Sequence, residues 1–302
     1  MKVLLTGASG GIGSVLVRRL VARADLEVKS MAHRSLVNNS GCEVRLGDLT
    51  NPEMLAEAVD GVDTVVHMAA LTTSARESEY FRTNVIGTRN LINACVVKGV
   101  KRIIYISSCA ASLGGGGYSR SKLEAEECIK GSGLKWLILR PSEVYGQRED
   151  DSIIRLIHWV RRYPVVPVIG KGLTRLCPVY IDDVVSAIEE AILNKELEGE
   201  TILLAGPEEL TFDELIDRIA KYFNVRRLKL HLPAGLVKLG AKILSSLGKT
   251  ILVPDQIPRL LCKKDFGLNK VSGLKSYSLL KLEEGMTAYW KNRKDATFKQ
   301  VG

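Results

Sequence analysis

The clearest indication of the fold is KVLLTGASGGIGSVLVRRLV, residues 2–21. It begins with a short apolar run, KVLLT, that meets glycines at once. From Ile12 to Val21 the apolar residues then recur at helix spacing. A strand, a glycine-rich turn and an amphipathic helix in this order are the setting that a dinucleotide-binding loop requires. The segment therefore predicts the first strand–helix unit of an α/β protein that binds a dinucleotide.

The glycines of this loop have the spacing GxxGxxG, at positions 7, 10 and 13. The first permits a tight turn, the second lets the backbone approach a pyrophosphate, and the third lets helix and strand pack closely. The free N–H groups and the positive dipole end of the helix then face the phosphates. The residues that we expect to bind the cofactor here are Gly7, Ser9, Gly10, Gly11, Ile12 and Gly13.

The residues about twenty positions after the loop indicate which dinucleotide is bound. A carboxylate there would bind the ribose 2′-hydroxyl of NAD. The sequence at this place is AHRS, residues 32–35, with His33 and Arg34 and no carboxylate. Arg34 can pair with a 2′-phosphate through its planar guanidinium group. The sequence therefore favours NADP as the cofactor and leaves NAD open.

Strand-like and helical segments alternate through the first half of the chain. The strand-like segments after the first are 26–32, 43–46, 63–70, 101–108 and 134–140. Helical patterns separate them, among them one that Thr50 or Asn51 can cap before Pro52, one over about 79–98 and one over 118–130. Strands that are apolar throughout are typical of a parallel sheet with helices on both faces. We predict an α/β fold with a Rossmann-like, doubly wound parallel sheet.

This alternation ends after Pro141. Strand-like pieces at 165–169, 178–181 and 201–205 mix with helical segments near 182–194, 211–223 and 233–249. We predict a dinucleotide-binding domain over 1–165, to which the segment 178–196 returns. Residues 166–302 are predicted to form a smaller C-terminal α/β cap that binds the substrate.

The composition indicates which classes of partner the protein binds and in which cellular compartment it lies. The 302 residues are 46% apolar and carry a formal net charge of +9, which favours anionic partners. The six cysteines and four histidines lack the spacing of a metal site or a disulfide framework. No stretch has the apolar length of a signal peptide or a membrane span. We expect a cytoplasmic protein without a metal, which binds an anionic small molecule and no nucleic acid.

The segment GGGGYSRSK, residues 114–122, places Tyr118 four positions before Lys122. Positions i and i+4 share a helix face, and a cation beside a tyrosine favours the phenolate and lowers its pKa from about 10. Ser108 ends the preceding strand and can hydrogen-bond the substrate oxygen. We predict that Tyr118 transfers the proton, with Lys122 as its cation. The alternative is a flexible loop that leads into an ordinary charged helix.

Eight segments carry a resemblance to a known family. They are TGASGGIG (6–13), GDLTN (47–51), VVHMAA (65–70), NVIGTRNLINA (84–94), IIYISS (103–108), YSRSK (118–122), LRPSEVYG (139–146) and PVYIDDVVSAI (178–188). Together the chain resembles the extended short-chain dehydrogenase/reductase superfamily, in its branch of NAD-dependent epimerases and dehydratases of nucleotide sugars and related reductases. The resemblance covers nearly the whole chain, in the family's order and spacing.

The resemblance implies a role for several further residues. Asp48 and Leu49 would lie beside the adenine, and Asn84 would support the active site from its helix. Ser108 would be the catalytic hydroxyl, Tyr118 the acid and base, and Lys122 its partner. The remaining cofactor contacts that the resemblance implies are Met68, Ala69, Ala70, Pro141 and Val144.

Three functions stay open at this point. The first is an NAD(P)-dependent epimerase or dehydratase of a nucleotide sugar, which oxidises a sugar carbon transiently. The second is an NADP-dependent reductase of a ketone or aldehyde, similar to dihydroflavonol reductases and hydroxysteroid dehydrogenases. The third is a cofactor-sensing binding protein without catalysis. The resemblance also implies a homodimer, formed through the helices around 79–98 and 118–130.

The loop between Ser108 and Tyr118 departs from the family pattern. It is shorter than in the family, and it ends in four glycines, residues 114–117. The glycines can let the helix of Tyr118 approach its neighbours despite the short connection. They can also form a mobile rim that opens. The sequence leaves both interpretations open.

Overall fold

The structure, a computed structural model, describes residues 1–33, 41–149, 151–246, 255–264, 266–267, 274 and 279–299. Its strands are β1 Lys2–Thr6, β2 Glu27–Ala32, β3 Glu43–Leu46, β4 Thr64–His67, β5 Arg102–Ile106, β6 Lys135–Pro141, β7 Val144–Tyr145, β8 Val165–Ile169, β9 Arg175–Leu176, β10 Val179–Tyr180, β11 Thr201–Leu204, β12 Leu210–Thr211 and β13 Leu228–Leu232. Its helices are α1 Gly11–Val21, α2 Pro52–Ala58, α3 Glu77–Tyr80, α4 Gly87–Val97, α5 Gly116–Lys130, α6 Ser152–Arg162, α7 Ile181–Leu193, α8 Phe212–Tyr222, α9 Ala234–Ser246, α10 Gln256–Leu261 and α11 Leu282–Lys299.

A parallel sheet forms the centre of the molecule. Within the described residues it has seven strands in the order β11-β6-β5-β4-β1-β2-β3. Every residue of β4 and β5 is buried, because helices cover both faces of the sheet. The predicted Rossmann-like α/β fold is confirmed.

The strand order reverses between β1 and β4, which lie side by side in the sheet although β2 and β3 separate them in the chain. In such sheets ligands bind in the crevice outside the carboxyl ends of the strands at this reversal. Here the last residues of the two strands, Thr6 and His67, are register partners. The buried His67 ring lies between two hydroxyls, with Thr6 Oγ1 at 2.7 Å and Thr88 Oγ1 at 3.0 Å. This polar contact joins the ends of β1 and β4 below the crevice.

The predicted helices form, and one of them differs in its type. Asn51 caps α2, since its side chain accepts hydrogen bonds from the main-chain nitrogens of Glu53 and Met54, and Pro52 is the first helical residue. The helix predicted over 79–98 is a composite of α3, a π-helical turn over Phe81–Ile86, and α4. A π-turn takes in one extra residue, which periodicity alone does not reveal, and such turns are frequent at functional sites.

The C-terminal half forms strand pairs outside the central sheet. It contains the parallel pair β8–β13 and the antiparallel pair β9–β12, while α6 packs against α8. Helix α7 returns to α1, where Arg19 donates to Asp182 at 3.0 Å, in keeping with the predicted return of 178–196. The sheet also includes β11, which follows the segment 178–196 in the chain. The division into 1–165 and 166–302 stays a prediction.

The segment expected to be helical over 233–249 forms α9, which ends at Ser246, and residues 247–249 lie outside the described part of the chain. Two leucines of α9 are exposed, Leu236 and Leu239. Among the residues that the structure describes, no helix has both the length and the apolar character needed to cross a bilayer.

Candidate active site

A cavity of about 1000 Å³ opens at the carboxyl ends of the central strands. It extends from the glycine loop after β1, past the segments after β3 and β4, to the first turns of α5. The predicted site residues that line it are Gly7, Ser9, Gly10, Gly11, Ile12, Gly13, His33, Asp48, Leu49, Met68, Ala69, Ala70, Tyr118, Lys122 and Val144. The structure therefore brings together residues from six separate segments of the sequence.

The other predicted site residues lie behind the cavity wall or outside the described chain. Asn84 is buried in the π-helical turn, Pro141 is the buried last residue of β6, and Ser108 is half-buried after β5. Arg34, on which the preference for NADP depends, lies outside the described residues.

The glycine loop packs so closely that side chains would not fit. A Cβ atom on Gly13 would lie 2.3 Å from the carbonyl oxygen of Gly7 and 2.8 Å from Ala8 Cα. Helix α1 begins at Gly11, and its N-cap, Gly10, offers no side chain to the first N–H groups. These amide groups border the cavity, where they can bind an anion. The loop fits the diphosphate of a dinucleotide.

The part of the cavity that follows β3 has a carboxylate, Asp48. Its Oδ1 accepts from Thr50 N at 2.8 Å and from Thr50 Oγ1 at 2.9 Å, and its Oδ2 lies 3.1 Å from His33 Nε2. The hydrogen bond from Thr50 N is the main cause that lowers the pKa of Asp48. The carboxylate is therefore ionised and oriented before any ligand binds.

Two cavity residues that the sequence interpretation missed are Gln147 and Arg148. Gln147 Nε2 donates to Ser14 Oγ at 3.4 Å, and the Arg148 side chain passes 3.4 Å from the position of a Cβ on Gly11. The two residues therefore lie over the start of α1. They directly follow the VYG element at 144–146. This position in the sequence was the signal that could have identified them as cavity residues.

Tyr118 lies at the inner end of the cavity, only 9% exposed. The edge of its ring packs on Tyr80, with the centroids 6.1 Å apart. Burial raises the pKa of Tyr118, while the nearby charge of Arg259 and a hydrogen bond from the Ser108 hydroxyl lower it in part. Ser108 and Tyr118 thus lie close together in the structure.

The ammonium group of Lys122 contacts β5 in this structure. Its Nζ donates to the carbonyl oxygen of Ile106 at 2.7 Å and lies 4.1 Å from the centroid of the Tyr105 ring. Burial lowers the pKa of Lys122 to about 7. The charge of Arg259 lowers the pKa of Tyr118.

The neighbouring serine, Ser107, has a different environment. Its hydroxyl donates to the buried carboxylate of Glu126 at 2.5 Å, and Arg140 Nε donates to the same oxygen at 2.8 Å. This network holds Ser107 against α5 and β6. It leaves Ser108 as the serine whose hydroxyl reaches Tyr118.

Asn84 connects two walls of the site. Its Oδ1 accepts from Leu71 N at 2.7 Å, and its Nδ2 donates to Leu71 O at 3.0 Å and to Ser121 Oγ at 2.9 Å. The side chain is 1% exposed, so these contacts are shielded from water. They fix the segment after β4 to the helix that carries Tyr118.

The glycines before Tyr118 allow two close contacts. Gly116 has φ +89°, and a Cβ there would lie 2.6 Å from Asp255 Oδ1 and 3.1 Å from Pro258 Cγ. A Cβ on Gly117 would lie 2.8 Å from Glu77 Cγ. Of the two interpretations of this loop, the contacts favour a close approach of the Tyr118 helix to its neighbours. The glycines pack against the segment 255–261 on one side and against α3 on the other.

Comparisons with known proteins agree with this geometry. The model of the NAD dependent epimerase/dehydratase family matches residues 3–205. The 3beta-hydroxysteroid-dehydrogenase/decarboxylase isoform 1 of Arabidopsis thaliana is 27% identical over 280 residues, or 79% of this chain and 64% of that protein. The N-acetyl-alpha-D-glucosaminyl-diphospho-ditrans,octacis-undecaprenol 4-epimerase of Escherichia coli O157:H7 is 27% identical over 273 residues, 82% of this chain and 80% of that protein.

Among solved structures, the UDP-glucuronic acid 4-epimerase from Bacillus cereus, in complex with UDP-glucuronic acid and NAD, is similar over 98% of this chain and 100% of its own. The TM-score is 0.76 and the sequence identity 25%. The similarity therefore includes the C-terminal half as well as the sheet. The chain spans less than two thirds of the length of the plant relative.

Proposed function

The chain belongs to the NAD dependent epimerase/dehydratase family, and from that membership we propose that it is an NAD(P)-dependent epimerase or dehydratase of a nucleotide sugar. The observation that carries the proposal is the position of Tyr118, with Ser108 beside it, at the inner end of a cavity that begins at the glycine loop. The similarity of the whole chain to an epimerase bound to a nucleotide sugar supports the substrate class.

In this proposal Tyr118 accepts the proton of a sugar hydroxyl and later returns it. The Ser108 hydroxyl positions the reacting oxygen, while its own oxygen accepts from Ala110 N at 3.1 Å. Lys122 uses one N–H group on Ile106 O and keeps two for the ribose hydroxyls of the cofactor. The nicotinamide, when bound, accepts a hydride from the sugar carbon and supplies it again. The initial step is therefore the oxidation of a sugar alcohol to a ketone.

NADP remains the cofactor that we propose, with NAD as the alternative. β2 ends at Ala32, and residues 32–35 hold no carboxylate of their own, although the Asp48 carboxylate lies 3.1 Å from His33 Nε2. The bound NAD of the Bacillus cereus enzyme favours the alternative. Dissociation constants for both cofactors, in the wild type and in Arg34→Ala, distinguish them. Tighter binding of NAD that Arg34→Ala leaves unchanged would contradict the preference.

A dehydrogenase or reductase of a non-sugar hydroxyl or ketone is the second candidate. The specific observation in its favour is the 27% identity to a hydroxysteroid dehydrogenase over 79% of this chain. An epimerase needs no net redox change, so its cofactor is expected to stay bound through purification. A reductase exchanges its cofactor and consumes NADPH with carbonyl compounds. The third interpretation, a non-catalytic binding protein, has no support from the site, since Ser108, Tyr118 and Lys122 are all present in it.

The experiment that tests the proposal is a thermal-shift screen of nucleotide sugars in the presence of NAD or NADP. A ligand that binds the native state raises its apparent stability, by about 2.7 kcal/mol at a hundredfold excess over Kd. We expect a rise with a nucleotide sugar and none with the corresponding free sugar. A rise with steroids or small ketones only would favour the second candidate.

A homodimer through α4 and α5 is also proposed. Ile86, Val96 and Val97 are exposed at or near α4, with Val97 79% exposed. A shallow groove between the two helices is lined by Val96, Val97 and Cys128, among others. Exposed apolar side chains that lie together on two adjacent helices favour a contact with a second chain.

A further inference from the structure

We propose that Arg259, from the C-terminal part of the chain, is a positioning residue for proton transfer and places the positive charge that Tyr118 needs against its phenol ring. The inference rests on the proposed role of Tyr118 as acid and base. It adds the charge of Arg259 to the predicted role of Lys122.

The contacts of Arg259 hold its guanidinium group over the tyrosine. Its Cζ lies 4.6 Å from the centroid of the Tyr118 ring, and its Nη1 donates to the carbonyl oxygen of Thr72 at 3.0 Å. Thr72 lines the cavity on the segment after β4. The side chain therefore joins the two walls of the site, and the hydrogen bond to Thr72 limits its movement away from the ring.

The helix that carries Arg259 is itself fixed to the helix of Tyr118. Asp255, the N-cap of α10, accepts from Gly117 N at 2.6 Å and from Tyr118 N at 3.3 Å. Pro258 fits against the bare backbone of Gly116, where a Cβ would lie 3.1 Å from its Cγ. The contacts of Asp255 and Pro258 hold α10 against α5, and they thereby set the position of Arg259.

Tyr118 faces several titratable or charged groups. Asp255 is already engaged by two main-chain N–H groups, whereas Arg259 has no carboxylate partner in the part of the chain that the structure describes. The groups around Tyr118 are Arg259 and Asp255 from α10, Lys122 from its own helix, Tyr80 from α3, Tyr105 from β5, and Ser108 and Cys109 after β5.

Arg259 and Lys122 differ in the pH range over which their side chains are positively charged. The pKa of Lys122 is lowered to about 7, so its ammonium group is lost as the pH rises above neutral. A guanidinium group stays protonated throughout this range. Arg259 is also the strongest of the causes that lower the pKa of the buried Tyr118. Its charge is therefore present at every pH at which Tyr118 would act as a base.

The test measures the ionisation of Tyr118 directly. Fluorotyrosine is incorporated, which brings phenol ionisation to lower pH, and the signal of residue 118 is assigned by its loss in Tyr118→Phe. Fluorine NMR then follows the titration in the wild type, Arg259→Met and Arg259→Lys. Arg162→Met is the matched control, because its guanidinium lies 5.8 Å from the ring of the exposed Tyr163.

We expect Arg259→Met to move the midpoint of Tyr118 to higher pH, Arg259→Lys to restore most of the difference, and Arg162→Met to leave it unchanged. Each unit of displacement lowers the phenolate fraction at a fixed pH about tenfold. The pH–rate profile should move by the same amount. Should Arg259→Met not fold, Arg259→Gln replaces it and keeps a donor for Thr72.

An unchanged midpoint in a folded Arg259→Met or Arg259→Gln protein would overturn the inference. This result is independent of the proposed function, because the titration requires neither substrate nor turnover. If instead Tyr118→Phe remained fully active, the role of Tyr118 would be wrong even if its midpoint responded to Arg259.

Discussion

The carboxylate of Asp255 accepts a hydrogen bond from the main-chain nitrogen of Gly117 at 2.6 Å, although 138 residues separate them in the chain. Helix α5 has a glycine at its N-cap and no side-chain cap of its own. Asp255 supplies that cap from a distant segment, and its negative charge also matches the positive end of the helix dipole. The start of the helix that carries Tyr118 therefore depends on the C-terminal part of the chain.

Asp255→Ala is expected to lower both stability and turnover. Loss of an N-cap costs about 0.5–2 kcal/mol, and the first turn of α5 includes Tyr118. Chemical denaturation measures the first effect and steady-state kinetics the second. Thr211→Ala is the control, since it removes the capping box of α8 at a similar cost and lies outside the cavity lining. If both variants lowered turnover equally, the cap on α5 would have no specific role in the site.

The sequence predicted those parts of the site that local spacing determines. The glycine loop, Tyr118 and Lys122 lie in short segments whose geometry a strand, a turn or one helix face sets by itself. The Rossmann-like sheet followed from uniformly apolar strands for the same reason.

The spacing of residues in the sequence does not predict contacts between distant segments. Asp255 and Arg259 come from the C-terminal part of the chain and meet α5 only because α10 docks there, and no local pattern marks them. The orientation of Lys122 also depends on tertiary packing, since the buried carbonyl of Ile106 and the ring of Tyr105 attract its ammonium group. Helix periodicity predicts a shared face for Tyr118 and Lys122, but it does not predict contacts with β5 such as these.

Tyr118→Phe is expected to keep cofactor affinity and to lose turnover by about 100-fold or more. The substitution removes only the transferable proton, and general acid–base catalysis contributes about 10²–10⁴-fold. Isothermal titration with the cofactor and a turnover assay measure the two effects. The matched control is Tyr163→Phe, which removes an exposed hydroxyl outside the cavity. Turnover near the wild-type rate in Tyr118→Phe would refute the assignment.

The glycines before Tyr118 offer a matched pair of substitutions. Gly116→Ala places a Cβ at φ +89° and 2.6 Å from Asp255 Oδ1, whereas a Cβ on Gly114 would meet nothing within 4 Å. A strained backbone of this kind costs about 1–3 kcal/mol. We expect Gly116→Ala to lower the free energy of unfolding and the turnover, and Gly114→Ala to change neither. Equal tolerance at both positions would favour the mobile-rim interpretation.

His67 is expected to make the fold sensitive to acid. Burial lowers the pKa of His67 to about 3, while an unfolded histidine titrates near 6.5. Between these values the unfolded state binds one proton more than the native state, so stability is fully present above about pH 6.5 and falls as the pH decreases toward about 3. The slope approaches about 1.4 kcal/mol per pH unit.

Denaturant unfolding at neutral and mildly acidic pH measures this slope. His67→Gln is expected to flatten it, whatever the substitution does to stability at neutral pH. His231→Gln, which changes an exposed histidine of β13 that contacts Asp213, serves as the control and should change the slope less than His67→Gln. The same slope in His67→Gln as in the wild type would assign the acid sensitivity to other groups.

Val97→Glu is expected to abolish the proposed homodimer. Val97 is 79% exposed on α4, so a glutamate there has little effect on the fold of one chain, but two copies would bring like charges into an apolar contact. Light scattering coupled to size-exclusion chromatography should change from a dimeric to a monomeric mass. Leu228→Glu is the control, because it places the same charge at a 67% exposed position on β13. A wild type that is monomeric at micromolar concentration, or a Leu228→Glu variant that dissociates as readily, would rule out the contact through α4 and α5.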